Sequence, residues 1–336
     1  MEKVILITGA GGFLGGKLAS AIHEDPELTD FRLILVDVIE PRAPPHSNAI
    51  TIKADLTDPA QADALFNTQY GVYDTVYCLH GIMSRGSEDN FDFGVKVNVD
   101  SVRAVLDAAR HHGQKTGQLI KFIFTSSLAV YGGPLPDVIQ SDTIATPQSA
   151  YGMGKLVDEI FINEYTRRGF VDGRILRLPT IVVRPGAPSA AASSFVSGII
   201  REPLQGLESV CPIGDSLTSP ELDLPLWLAS PDVTIRNFLI TRQISATRLL
   251  AHTRVVCLPG FTATVREEIA ALEEVAGEEA VTLIKFEDDP TNRRVVSSWP
   301  SRFDNSYALS LGFVADGGGM VPIVRRFQQQ LKAGSV

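Results

Sequence analysis

A glycine-rich turn between a short apolar run and a helical pattern limits this chain more than any other feature. Thr8-Gly9-Ala10-Gly11-Gly12-Phe13-Leu14-Gly15 follows the β-branched run 4–8 and opens a segment, 13–23, with apolar residues at helical spacing. The glycines that matter are Gly9, Gly12 and Gly15, a GxxGxxG spacing; it departs from GxGxxG because position 14 is Leu. In a strand–turn–helix unit such glycines allow the tight turn, let the backbone approach a pyrophosphate, and let helix and strand pack closely. The helix start, with Phe13 and Leu14 in its first turn, offers free N–H groups and a partial positive charge to phosphates. A second apolar run, 32–36, leads into Asp37 about 20 residues beyond the loop. A carboxylate there accepts hydrogen bonds from the adenosine ribose hydroxyls and opposes a 2′-phosphate, which favours NAD over NADP; the alternative role for Asp37 is to cap a strand-to-loop turn. Asp55-Leu56, after a third run at 49–53, is placed to meet the adenine edge.

The pattern continues. Strand-like runs at 75–79, 120–125 and 174–178 alternate with helical segments at 59–66, 91–111 and 151–168. Strands that read as continuous apolar runs between helices imply a parallel sheet covered on both faces, a doubly wound α/β (Rossmann) fold. After Pro179 the texture changes. Pro, Ala and Ser cluster over 184–194, and a polar stretch, 214–225, carries Asp215, Glu221 and Asp223 and is expected to be an exposed loop. Helical spacing returns at 195–200, 231–244, 265–276 and 321–331. The expected division is a dinucleotide-binding domain, 1–180, and a smaller substrate-binding cap, mainly 181–336, with elements near 231–260 returning to the first domain. The length of 336 residues suits two domains of about 150 residues each.

Composition narrows the classes. With 44% hydrophobic and 21% charged residues the chain is not a disordered one. The net charge is −9 and no basic run exceeds the pairs Arg167-Arg168, Arg293-Arg294 and Arg325-Arg326, so neither nucleic acid nor an anionic membrane is an expected partner. The apolar runs fall far short of the roughly 20 residues that cross a bilayer. Cys78, Cys211 and Cys257 are widely spaced, which fits a reducing compartment and offers no zinc spacing; no metal is expected. Met1-Glu2-Lys3 runs directly into an apolar strand, so no signal peptide is expected and the cytoplasm is the expected location.

Tyr151 and Lys155, four residues apart on a helical segment, share a face. A free tyrosine ionises near pH 10. A neighbouring ammonium and an oxidised nicotinamide both favour the phenolate, which could act as general base on an alcohol while hydride leaves for the cofactor. Lys155 would also hold the nicotinamide ribose. Ser127 ends the run before that helix, where a hydroxyl faces the ligand crevice of a parallel sheet and can hydrogen-bond the reacting oxygen.

The order of these pieces resembles the extended short-chain dehydrogenase/reductase family, also called the NAD-dependent epimerase/dehydratases. The matching residues are Gly9 to Gly15, whose spacing is the family's variant, Asp37, Asp55-Leu56, Leu79-His80-Gly81, Asn98, Phe124-Thr125-Ser126-Ser127, Val130-Tyr131-Gly132, Tyr151-Gly152-Met153-Gly154-Lys155 and Leu176-Arg177. Further along, Ala191-Ala192-Ser193-Ser194-Phe195 and Ser298-Trp299-Pro300-Ser301-Arg302-Phe303-Asp304 are similar to the family's dehydrogenases of small sugar acids such as D-erythronate. The resemblance implies NAD-linked oxidation of a hydroxyl next to a carboxylate. It also implies cofactor contacts from Leu79, Asn98 and Pro179, and a homodimer that pairs 91–111 and 151–168 across a twofold axis. Two departures stand out. The stretch Leu79-His80-Gly81-Ile82 replaces the usual His-Leu-Ala-Ala, with His80 read as a pocket wall or solvated residue rather than a catalyst, and Ser101 stands where glycine is usual.

A small acid needs a cation. Arg302, beside Trp299, is the first candidate for a bidentate carboxylate clamp, with Arg184 in reserve; each could equally be a structural or surface ion pair. Ser193-Ser194 precede a helical run, where a serine caps the helix or helps hold an anion. Thr180 is expected near the nicotinamide. Three other readings remain. A nucleotide-sugar epimerase commonly shows Asn shortly after the Leu-Arg pair, where this chain has Leu178-Pro179-Thr180-Ile181. A reductase of a bulkier metabolite would differ only in pocket volume. A noncatalytic dinucleotide sensor has no need of Ser127, Tyr151 and Lys155.

Overall fold

Val4, Ile5, Leu6 and Ile7 are all fully buried, as a strand must be when both faces of its sheet are covered. In the computed structural model, which describes residues 3–187 and 191–334, they belong to an interior strand of a seven-stranded sheet. The strands in chain order are β1 Lys3–Thr8, β2 Phe31–Asp37, β3 Ile50–Lys53, β4 Val72–Cys78, β5 Lys121–Ser127, β6 Asp172–Leu178, β7 Thr180–Ile181, β8 Ser209–Cys211, β9 Pro225–Ala229, β10 Val255–Cys257, β11 Phe261–Thr264 and β12 Ile284–Phe286. The large sheet runs β3-β2-β1-β4-β5-β6-β10, parallel throughout. Its order reverses between β1 and β4, and an open α/β sheet forms its ligand crevice at such a point, beyond the carboxyl ends of the strands. Register sharpens this. Thr8 pairs with Val36 on one side and Cys78 on the other, so the glycine loop, Asp37 and Leu79 emerge at one level. Ser127 pairs with Leu178, which brings Pro179 and Thr180 beside it.

One face of the sheet is covered by the helices Phe13–Glu24 and Pro231–Gln243, with Ile5, Ile7, Tyr77, Ile123 and Phe238 between the layers. The other is covered by Ser101–Thr116 and Ala150–Arg167, over Val4, Leu6, Val76, Phe122, Val105 and Ile162. This sheet also takes in a strand from late in the chain, because β10 pairs with β6 at its edge. The short helix Ser306–Leu311 packs here as well, burying Ala308 and Leu311 in the layer of Ile5 and Phe238. The remaining elements form two small sheets, β11-β9-β7 and β12-β8, around Val196, Ile199, Leu228, Leu272 and Val324.

Two expectations need correction. The segment 91–111 is not one regular helix. It is Phe91–Val95, a π turn Lys96–Asp100, and Ser101–Thr116. The stretch 214–225 is exposed only in part, because Leu222 is fully buried and Ser219 turns inward. The Ser219 hydroxyl donates to Asp215 Oδ1 at 2.6 Å and accepts the N–H groups of Asp215 and Ser216, which ties the loop to itself. Of the Pro/Ala/Ser-rich cluster at 184–194, residues 188–190 lie outside the described residues.

Candidate active site

The crevice at the carboxyl ends of β1 and β4 is a cleft of about 520 Å³. At one end it is lined by Gly9, Gly12, Phe13, Leu14 and Gly15, with Asp37, Asp55, Leu56 and Leu79. Gly9 adopts φ +72°, a left-handed conformation that side chains disfavour. A Cβ at Gly15 would stand 2.2 Å from the Gly9 carbonyl oxygen, so the helix can begin this close to the turn only on a glycine. The helix has Gly12 at its N-cap, no side-chain capping bond and no acidic residue in its first turn. Its leading N–H groups therefore keep their donors and their partial positive charge for an anion in the cleft. That is what a pyrophosphate requires.

Asp37 stands beside the glycine loop. Its Oδ2 accepts the N–H of Gly11 at 2.9 Å and its Oδ1 that of Val38 at 2.7 Å, which fixes the carboxylate on the cleft wall with lone pairs to spare. The Asp55 carboxylate is held below its usual range by the hydroxyl and N–H of Thr57. Asn98 does something other than line the cleft. It is buried in the π turn, where its carbonyl oxygen accepts the N–H of Ile82 at 2.8 Å and its amide donates to the carbonyl of Ile82 and to Ser87 Oγ. Its amide is thus used to hold the segment that follows β4. Ile82, Met83 and Ser84 of that segment line the cleft. Their sequence carries no periodicity that would have marked them.

The other end of the cleft carries Ser127, Tyr151, Lys155, Pro179, Thr180, Arg184, Ser193 and Trp299. Ser127 Oγ accepts the N–H of Ala129 at 3.1 Å, leaving its proton for a ligand oxygen. Ser149 Oγ caps the helix Ala150–Arg167 by accepting the N–H of Gly152 at 3.0 Å. A Cβ at Gly152 would fall 2.0 Å from the Ala129 carbonyl, so this helix start packs directly on the turn that follows Ser127. One turn of helix carries Lys155 inward, where it is 3% exposed, with Nζ 5.7 Å from the centre of the Tyr151 ring and 4.6 Å from that of Phe124. Behind it, Arg177 and Glu159 form a buried ion pair that also receives the Ser126 hydroxyl. This anchors the helix Ala150–Arg167 to β5 and β6.

The two arginine candidates separate. Arg302 is exposed and lies outside the cleft. Phe303 pairs with Ile139 in an isolated bridge and is buried against Tyr131 and Trp227, and extended backbone turns the preceding side chain to the opposite side. Arg184 instead lines the cleft. Burial and the neighbouring Arg201 hold its guanidinium below the usual arginine range, with Tyr151 near enough to oppose them. Among the described residues no carboxylate lies within ion-pairing distance of Arg184. Ser193 occupies the N-cap position of the helix Ser194–Arg201 without a side-chain capping bond. His80 lines the cleft wall, and burial and Lys155 push its pKa down to about 3, so the ring is neutral.

Residues 5–219 match the model of the NAD dependent epimerase/dehydratase family. The chain is 41% identical over 314 residues to a D-erythronate dehydrogenase of Haemophilus influenzae, covering 93% of this chain and 95% of that one. It is also 41% identical over 319 residues to one of Cupriavidus necator, with 93% and 94% covered. Among solved structures it is similar to a nucleoside-diphosphate-sugar epimerase from Agrobacterium tumefaciens, with a TM-score of 0.87 and 35% identity over 99% of this chain and 95% of that one.

Proposed function

The chain belongs to the NAD dependent epimerase/dehydratase family and is an NAD-dependent dehydrogenase, and from that premise we propose that it oxidises the 2-hydroxyl of a small sugar acid such as D-erythronate to the 2-keto acid. The observation that carries this reading is Arg184: a guanidinium with no carboxylate partner among the described residues, in the same cleft as Tyr151. A partly buried cation without a counter-charge is costly, and a substrate carboxylate supplies one. The relatives named D-erythronate dehydrogenase support the same class.

Each side chain then has one task. Arg184 holds the carboxylate, with Ser193 and Thr180 on the surrounding wall, and so presents C2 and its hydroxyl to Tyr151. Ser127 donates a hydrogen bond to the C2 oxygen. The Tyr151 phenolate, stabilised by the Lys155 ammonium, takes the hydroxyl proton as the C–O bond becomes a carbonyl. NAD supplies the acceptor for the hydride that leaves C2. Atoms balance as hydroxy acid and NAD going to keto acid, NADH and one proton.

The test is a panel of four-carbon 2-hydroxy acids and nucleotide sugars, each with NAD, followed by NADH absorbance. Net NADH with an acid and none with the sugars is the expected result. Conversion of a nucleotide sugar without net NADH would establish an epimerase instead.

The same reading includes a homodimer built on the helices Phe91–Val95, Ser101–Thr116 and Ala150–Arg167. Phe91, Phe93 and Ile160 on these helices are 55%, 49% and 62% exposed, an apolar surface that a second copy would cover. Light scattering at micromolar concentration gives a dimer mass if this holds and a monomer mass if it fails. Three free cysteines, Cys78, Cys211 and Cys257, favour a reducing compartment and hence the cytoplasm.

A further inference from the structure

Strand β4 ends at Cys78, and two residues later His80 reaches between β1 and the helix Ser101–Thr116. The Thr8 hydroxyl lies 2.7 Å from His80 Nδ1, and His80 Nε2 lies 2.8 Å from Ser101 Oγ. The Ser101 hydroxyl donates to the Val97 carbonyl at 2.5 Å. That bond uses the one proton Ser101 Oγ has, so Ser101 must accept from Nε2–H. Nδ1 is then the acceptor and Thr8 the donor. The three bonds run in one direction and specify a single neutral tautomer.

We propose that His80 is a positioning residue for the cofactor, a strut that acts through Thr8 and Ser101 to hold the phosphate loop at the distance from the helix Ser101–Thr116 that bound NAD requires. Thr8 directly precedes Gly9. At Gly9 a Cβ would come within 2.7 Å of the His80 backbone nitrogen, so loop and strut are in contact along the main chain as well. The ring faces the same cleft as Gly12 and Lys155. Around it stand the Cys78 thiol at 3.7 Å from Nδ1 and the Lys155 ammonium, and among the described residues no carboxylate favours the imidazolium. Both ring nitrogens are used within the protein, which leaves His80 neither a proton nor a lone pair for chemistry on substrate.

The test is calorimetric titration of NAD into the substrate-free protein, for the wild type, His80→Ala, Ser101→Ala and the double variant. Ser101→Ala removes a single oxygen, and it keeps the question open to test if His80→Ala fails to fold. Each single variant is expected to raise the NAD Kd roughly five- to tenfold, the effect of one or two lost hydrogen bonds. The double variant should be no worse than the weaker-binding single, because a strut fails at either link. Turnover at saturating NAD should stay within about threefold of wild type. Unchanged NAD affinity in both single variants would overturn the proposal. So would losses that multiply in the double variant, or a fall in kcat with the NAD Kd unmoved, which would place His80 on the substrate.

Discussion

The backbone N–H of Arg184 donates to Ser197 Oγ at 3.0 Å, so the peptide of this arginine is fixed to the helix Ser194–Arg201. Arg201 completes the hold by donating to the Arg184 carbonyl at 2.9 Å. With both of its peptide groups engaged, Arg184 presents its side chain to the cleft from a rigid support, as a substrate clamp must.

Arg184→Met keeps most of the stem and removes the charge. The kcat/KM for a 2-hydroxy acid should fall on the order of 10²- to 10³-fold, the effect of leaving a buried carboxylate unpaired. Activity on an uncharged alcohol analogue should change little. Arg302→Met should stay within about twofold of wild type on both compounds, because a solvated side chain outside the cleft contributes little. Steady-state rates for the four enzyme–substrate pairs decide it. Equal losses on acid and alcohol would make Arg184 a structural residue.

Tyr151→Phe leaves the ring and removes the ionisable oxygen. Turnover should drop on the order of 10²- to 10⁴-fold, the usual contribution of a general base. NAD binding, measured by calorimetry, should stay within about twofold, because the phosphate loop and Asp37 are untouched. Near wild-type turnover would remove Tyr151 from the mechanism.

Asp37→Ala tests the cofactor preference. The carboxylate is pinned by Gly11 and Val38 on the wall of the cleft, where it faces any 2′-phosphate. Apposed like charges cost several kcal/mol, so the substitution should narrow the ratio of NAD to NADP efficiency by about tenfold or more. An unchanged ratio would leave Asp37 as a turn cap.

What could be read before folding was local chemistry. Gly9, Asp37 and Ser127 lie at or next to a strand end, which shows in the apolar pattern, and Tyr151 and Lys155 show as a spacing of four on one helix. Asn98 was misplaced because a π turn rotates it off the regular helical face, and apolar spacing does not register such a slip. Arg302 was misplaced because its direction is set by the pairing of Phe303 with Ile139, more than 150 residues away in the chain. Arg184 needed the helix Ser194–Arg201 behind it. Met83 and Ser84 needed the Asn98 amide that anchors the neighbouring Ile82. The Arg184–Ser197 and Ile82–Asn98 contacts are hydrogen bonds to side chains, which apolar spacing does not register even where the partners are close in the chain.

Stability should carry a separate signature from Glu268. It is fully buried in the helix Val265–Ala276, both carboxylate oxygens lack partners among the described residues, and burial raises its pKa well above the usual value. An acid whose folded pKa is raised binds its proton more tightly in the native state. Its contribution is complete below the unfolded value, near pH 4.3, and is lost as pH rises from there through the folded pKa. Glu268→Gln removes the titration at nearly the same shape. The variant should gain on the wild type in Tm as pH is raised from about 4 to 8, with the smallest difference at the acid end. A difference that does not vary with pH would mean that Glu268 ionises in the folded protein as it does in the unfolded one.

In the proposed reaction, hydride leaves C2 of a 2-hydroxy acid for the nicotinamide. Deuterium placed at C2 of D-erythronate follows that atom directly. With NAD and the wild-type protein, mass spectrometry should find one deuterium in each NADH formed and none in the keto acid, and the same atom placed at C3 should stay in the product. Deuterium retained in the organic product when it starts at C2, or carried to the nicotinamide when it starts at C3, would contradict the account.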